Sequence, residues 1–129
     1  MKPVIVQAAD QRGAGEGPIT ARGKTLVVQE WQGSGPTYLH VHHGDDEAWH
    51  VLDGTVRFRF ESEQVDAGAG TTVFVPAGVA HTYEALGQSR YLIILTPRLL
   101  DLIEELHRTP LRGHPEVMRM YQSEVLEEV

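Results

Sequence analysis

Three imidazoles and one carboxylate stand at spacings that could hold a metal ion. His40 and His42 are separated by one residue, Glu47 follows after four more, and His81 comes after the turn Pro76-Ala77-Gly78. Successive side chains of a strand alternate faces, so His40 and His42 point the same way, as does Tyr38. Glu47 is five residues beyond His42, an odd step that sends it to the opposite face of an unbroken strand. His43-Gly44-Asp45-Asp46 has turn composition, however, which can reset the register and let Glu47 rejoin the histidines. Neutral imidazoles with a carboxylate suit one divalent transition metal per chain, Fe, Mn, Ni, Co, Zn or Cu. The chain has no cysteine, which excludes thiolate ligation, CxxC redox chemistry, disulfides and a cysteine nucleophile.

The elements that must position these groups are short up to Leu95. Thr25-Leu26-Val27-Val28, Val56-Arg57-Phe58-Arg59-Phe60 and Tyr91-Leu92-Ile93-Ile94-Leu95 are β-branched or aromatic runs separated by glycine-rich turns, the pattern of an antiparallel sandwich or barrel. Val56, Phe58 and Phe60 alternate with Thr55, Arg57 and Arg59, which describes a half-buried strand. Asp10 to Pro18 reads as a loop. After Leu95 the period becomes helical: Thr96 can cap, Pro97 suits the first helical position, and Leu99, Leu102, Ile103 and Leu106 share a face. Thr109-Pro110 and Gly113 end that helix. A second is expected from about Pro115, with Val117, Met118, Tyr121 and Val125 as its apolar stripe. The 129 residues are thus divided into a barrel with its N-terminal strand and loop, 1–97, and a helical extension, 98–129, packed on the barrel or on a partner subunit.

These residues resemble the two motifs of the cupin superfamily. His40-Val41-His42, four residues, Glu47, six residues and Gly54 match the first; Gly70, Pro76, Gly78 and His81 match the second. Gly35 is one residue nearer to His40 than the usual leading glycine, and Ala85 stands where the second motif ends in asparagine. The resemblance is to small one-barrel members, and among them to the quercetinase-type dioxygenases. It implies an all-β jelly-roll barrel with a C-terminal helical extension, its site in the barrel mouth, and His40, His42, Glu47 and His81 as metal ligands. The activity implied is that of a metal-dependent oxidoreductase, a dioxygenase acting on a small enol or vicinal-oxygen substrate, with Glu47 as general base. The same ligand set also serves isomerisation, cyclisation and decarboxylation, and a barrel of this kind can bind a small molecule without turning it over.

Other residues take supporting roles. Tyr38, Trp49 and Tyr83 share the inward faces of the proposed ligands and are expected to contact substrate or ligands, whereas Phe58 and Phe60 fill the core. His50 falls on the face opposite Glu47, His43 sits in the turn, and His107 and His114 are expected to face solvent. Asp45 and Asp46 read as solvated turn residues. The net charge of −7 argues against nucleic acid as a partner. The opening run Val4-Ile5-Val6 is too short for a membrane span or a signal core, and a cytoplasmic protein is expected. Exposed apolar strands of the kind that pair small cupins point to a homodimer.

Overall fold

The computed structural model describes residues 2–129. Its strands are β1 (Thr20–Arg22), β2 (Val27–Trp31), β3 (His40–His42), β4 (Glu47–Arg59), β5 (Gln64–Gly68), β6 (Thr72–Val75), β7 (Thr82–Leu95) and β8 (Ser123–Val125). Two α-helices, α1 (Pro97–His107) and α2 (His114–Met120), separate β7 from β8. Six strands form one antiparallel sheet in the order β1-β2-β7-β4-β5, with β6 also on β4, while β3 and β8 make a separate two-stranded ribbon. The long β4 and β7 are the spine of this open jelly roll, and their ladder shifts register around Asp53.

Gly54 makes that shift fit. Its φ is +77°, and a Cβ there would lie 2.5 Å from Ser89 Oγ and 2.9 Å from the Gln88 carbonyl oxygen, so the close approach of the two strands at the shift requires glycine. On either side of it, alternation sets the faces. Trp49, Val51, Val56 and Phe58 of β4 are fully buried with Tyr91 and Ile93 of β7, while Arg57 and Arg59 point out to pair with Asp66 and Glu127.

The helix expected after Leu95 forms, with Thr96 Oγ1 accepting from the Leu99 amide at 3.2 Å and Pro97 opening the first turn. Leu99, Leu102, Leu106, Val117 and Met118 belong to the same hydrophobic cluster as the inward residues of the barrel. The second helix is shorter than the sequence suggests. It stops at Met120, Gln122 takes a left-handed conformation with φ 56°, and Val125 lies on β8 opposite His40 rather than on a helical stripe. The backbone groups of β3 offered by this edge override the helical period, because strand pairing satisfies them along Ser123–Val125.

Candidate metal centre

β3 carries His40 and His42 on one face, and the turn through Gly44 returns the chain so that Glu47, at the start of β4, joins them. His81 is brought alongside by a two-way backbone bridge, His40 N to His81 O at 3.1 Å and His81 N to His40 O at 2.8 Å. One ligand atom from each of His40, His42, Glu47 and His81 lies within 4.8 Å of every other, and all four residues are buried.

The outer ring nitrogens fix how these imidazoles face. His40 Nδ1 donates to the Tyr38 carbonyl at 3.3 Å and His81 Nδ1 to the Val79 carbonyl at 2.9 Å. His42 Nδ1 lies 2.7 Å from Ser123 Oγ, whose proton goes to the Tyr121 carbonyl, so the imidazole is again the donor. With Nδ1 protonated in each neutral ring, all three Nε2 lone pairs turn inward. His42 Nε2 and His81 Nε2 stand 3.2 Å and 2.9 Å from the same oxygen, Glu47 Oε1. Acceptors aimed at a common carboxylate in a buried site need positive charge between them, which a cation supplies. The donor set therefore fits a divalent metal.

Electrostatics agree. Burial pushes the His40 imidazole down to about 3, helped by the neighbouring His81 and His42, so it stays neutral with its lone pair free. Without a cation, protons on His42 and His81 Nε2 take its place: burial works to raise the Glu47 carboxyl, but hydrogen bonds and charge from those protonated nitrogens outweigh it and hold the group well below the usual carboxylate range.

The sequence profile of the cupin domain matches residues 15–96, well over half of the chain. The chain belongs to the cupin family. An uncharacterized protein of Streptomyces coelicolor is 31% identical over 65 residues, 50% of this chain and 62% of that protein, so the match spans less than two thirds of the curated relative. Among solved structures, KdgF from Halomonas sp. superposes with a TM-score of 0.52 at 22% identity, over 60% of this chain and 73% of that one. A variant of Streptomyces PAC13 solved with uridine gives 0.51 at 20% identity, over 60% of this chain and 63% of that one. PAC13 is described as a nucleoside dehydratase. These structural likenesses speak to the fold.

In this cupin the cluster opens into a cavity of about 400 Å³. Barrel residues Trp31, Tyr38, Tyr83 and Ile93 form one wall; Leu102, Ile103 and Leu106 of α1 with Met118 of α2 form the other. The helical extension thus encloses the site as well as packing on the barrel. Tyr38 Oη lies 2.8 Å from His114 Nδ1, and burial pushes the phenol up to about 12, so it keeps its proton. Tyr83 bonds Tyr91 Oη at 3.0 Å, and its ring lies so close to Gly35 that a Cβ there would fall 2.6 Å from Cε1. The displaced glycine of the first motif is thus the one this ring needs. Trp49 packs edge-on against His81 with centroids 5.7 Å apart and lies outside the cavity wall, behind that imidazole.

Several side chains depart from the sequence reading. His114 does not face solvent: it is half-buried, lines the cavity and bonds Tyr38. Asp45 is no solvated turn residue. Its buried carboxylate accepts from Thr96 Oγ1 and Arg98 Nε, both at 2.9 Å, tying the ligand loop to the start of α1. Asp46 is exposed but accepts from the Ala77 amide at 2.9 Å, which joins the two motif turns. His50 turns outward to Thr72, His43 is exposed beside Glu124, and His107 lies exposed at the cavity mouth. Ser123 had no sequence signal at all.

Proposed function

We propose that this cupin is a metal-dependent oxidoreductase that uses dioxygen on a small organic substrate with an enol or vicinal oxygens. The observation that carries the reading is the opening of a three-histidine, one-carboxylate cluster into a cavity with mostly apolar walls. A divalent ion held by His40, His42, Glu47 and His81 would supply Lewis acidity toward a substrate oxygen and, where redox-active, electron exchange with dioxygen. The chain's own groups do the rest. Leu102, Ile103, Leu106 and Met118 exclude water and offer an apolar wall to the substrate body. Glu47 is the one carboxylate of the cluster and, moving off the ion, is the group to take a proton from the substrate.

A cytoplasmic setting and a homodimer are parts of the same proposal. Ala21, Val28, Ile94, Ala48 and Phe74 pair in an unbroken row across five strands, on the face opposite the buried Trp49 and Ile93, and Phe74 is 63% exposed. Such an apolar row supports coverage by a second copy. No helix among the described residues is long and apolar enough to cross a membrane.

The test is metal analysis of protein purified without chelator or nickel resin, beside His81→Ala, followed by oxygen uptake with enol and catechol substrates. About one transition metal per chain, lost in the variant, is expected. Little metal in either, even after anaerobic reconstitution, overturns the metalloenzyme. Conversion without oxygen uptake replaces oxidation by isomerisation, cyclisation or decarboxylation on the same Glu47 base, and binding without conversion leaves a ligand-binding barrel.

A further inference from the structure

Beside the metal cluster the cavity carries a second polar feature. Tyr38 Oη lies 2.8 Å from His114 Nδ1, while His114 Nε2 lies 3.1 Å from the Leu106 carbonyl oxygen and 3.0 Å from that of Thr109. Carbonyl oxygens only accept, so Nε2 carries the N–H and shares it between the two carbonyls at the end of α1. When the ring carries that one proton, Nδ1 holds a lone pair and Tyr38 donates to it. The single phenolic proton is committed, so any further hydrogen bond at the Tyr38 oxygen is one that it accepts.

The placement suits recognition. Tyr38, His114 and His40 all line the cavity, and the Tyr38 ring stands edge-on between the other two, with centroids 5.9 Å from His40 and 5.8 Å from His114. Tyr38 therefore lies beside the cluster in the wall of the same cavity. Displacing water from a phenol oxygen without replacing its hydrogen bond costs affinity, whereas a hydroxyl or N–H aimed at it restores the bond.

We propose that Tyr38, oriented by His114, determines specificity by accepting a hydrogen bond from a hydroxyl or N–H of the bound molecule other than the groups that reach the metal. The inference rests on the metal-and-cavity reading above and narrows its substrate class to molecules with metal-binding oxygens, an apolar body and a separate hydrogen-bond donor. Tyr38 is the contact; His114 is a positioning residue that sets the polarity of that contact.

The experiment uses zinc-loaded full chain, in which catechols bind without being oxidised, and isothermal titration. Catechols bearing a hydroxymethyl, 2-hydroxyethyl or 3-hydroxypropyl arm are compared with their methyl, ethyl and propyl twins. At least one hydroxylated probe is expected to gain about tenfold over its twin in wild type, a ratio that falls to about one in Tyr38→Phe with zinc content and twin affinity unchanged. His114→Leu lowers the ratio, and His114→Asn, whose side-chain oxygen can accept near the position of Nδ1, restores part of it. Equal discrimination by wild type and Tyr38→Phe at all three arm lengths overturns the proposal and leaves the metal-and-cavity reading standing. Failure of every probe, twins included, to bind zinc-loaded wild type overturns that reading itself.

Discussion

Ser123 Oγ lies 2.7 Å from Nδ1 of His42, a residue 81 positions earlier in the chain. The contact exists because β8 pairs with β3, setting Ser123 opposite His42 and Val125 opposite His40. The ribbon is locked at its far end, where Glu127 accepts from the Leu39 amide at 2.6 Å and from Arg59. The C-terminal strand is therefore the outer support of the strand that bears two of the four proposed ligands. Partners of this kind orient the ring and raise its basicity, and losing one typically weakens metal binding by about 10–100-fold. Ser123→Ala is expected to weaken zinc or cobalt affinity by about tenfold in competition with a chromophoric chelator, while Thr72→Ala, which frees only the outward His50, leaves it unchanged. Equal affinities for all three proteins would remove the support role.

The metal-free protein is expected to lose stability as acid is added, beginning well above the carboxylate range. His40 is held down to about 3 in the fold, against 6.5 for the ordinary group, so the unfolded chain binds a proton there that the native state refuses. Stability contributed by the neutral ring is present above pH 6.5 and declines as pH falls toward 3, at about 1.4 kcal/mol per pH unit for one proton. Glu47 is depressed as well, but its contribution is lost only below 4.5, its ordinary value. Urea midpoints between pH 6.5 and 4.5 therefore report chiefly on His40 among these two groups. His40→Gln should flatten the slope there by about one proton, and an unchanged slope would assign the acid sensitivity elsewhere.

Local rules reached far into this site. Two-residue alternation set His40 and His42 together, turn composition returned Glu47 to them, and the capping pair Thr96-Pro97 marked the start of α1. What those rules could not reach were contacts closed by folding. Asp45 looked like a solvated turn residue because its partners, Thr96 and Arg98, are 51 and 53 positions away. His114 looked exposed because Tyr38 is 76 positions away. Val125 fitted the helical period of its neighbours, and only the free edge of β3 made it a strand residue. Periodicity records which face of an element is apolar; it is silent on which polar groups meet across elements.

Asp45 gives a stability prediction. Its carboxylate is buried and accepts two hydrogen bonds, one from the hydroxyl that caps α1 and one from Arg98. Hydrogen bonds to a charged group contribute about 1.5–3 kcal/mol, and here they join the ligand loop to the helix that walls the cavity. Asp45→Ala is expected to lower unfolding free energy by about 2 kcal/mol in urea and to loosen α1, read as faster amide exchange at Leu99 and Leu100. A loss no larger than that of the exposed Asp46→Ala would mean that the carboxylate does not anchor the helix.

The helical wall can be tested apart from the metal. Ile103 is half-buried on α1, lines the cavity and is not one of the four clustered residues. A larger side chain there has the cavity to enter, so the usual overpacking cost of about 1–3 kcal/mol should be reduced. Ile103→Trp is therefore expected to keep both the fold and the bound metal while occupying the space a substrate would use. Metal content should match wild type by elemental analysis, and affinity for small catechols should fall at least tenfold. A variant that keeps metal and binds catechols as wild type does would show that ligands reach the cluster by another route, and α1 would then be a structural buttress alone.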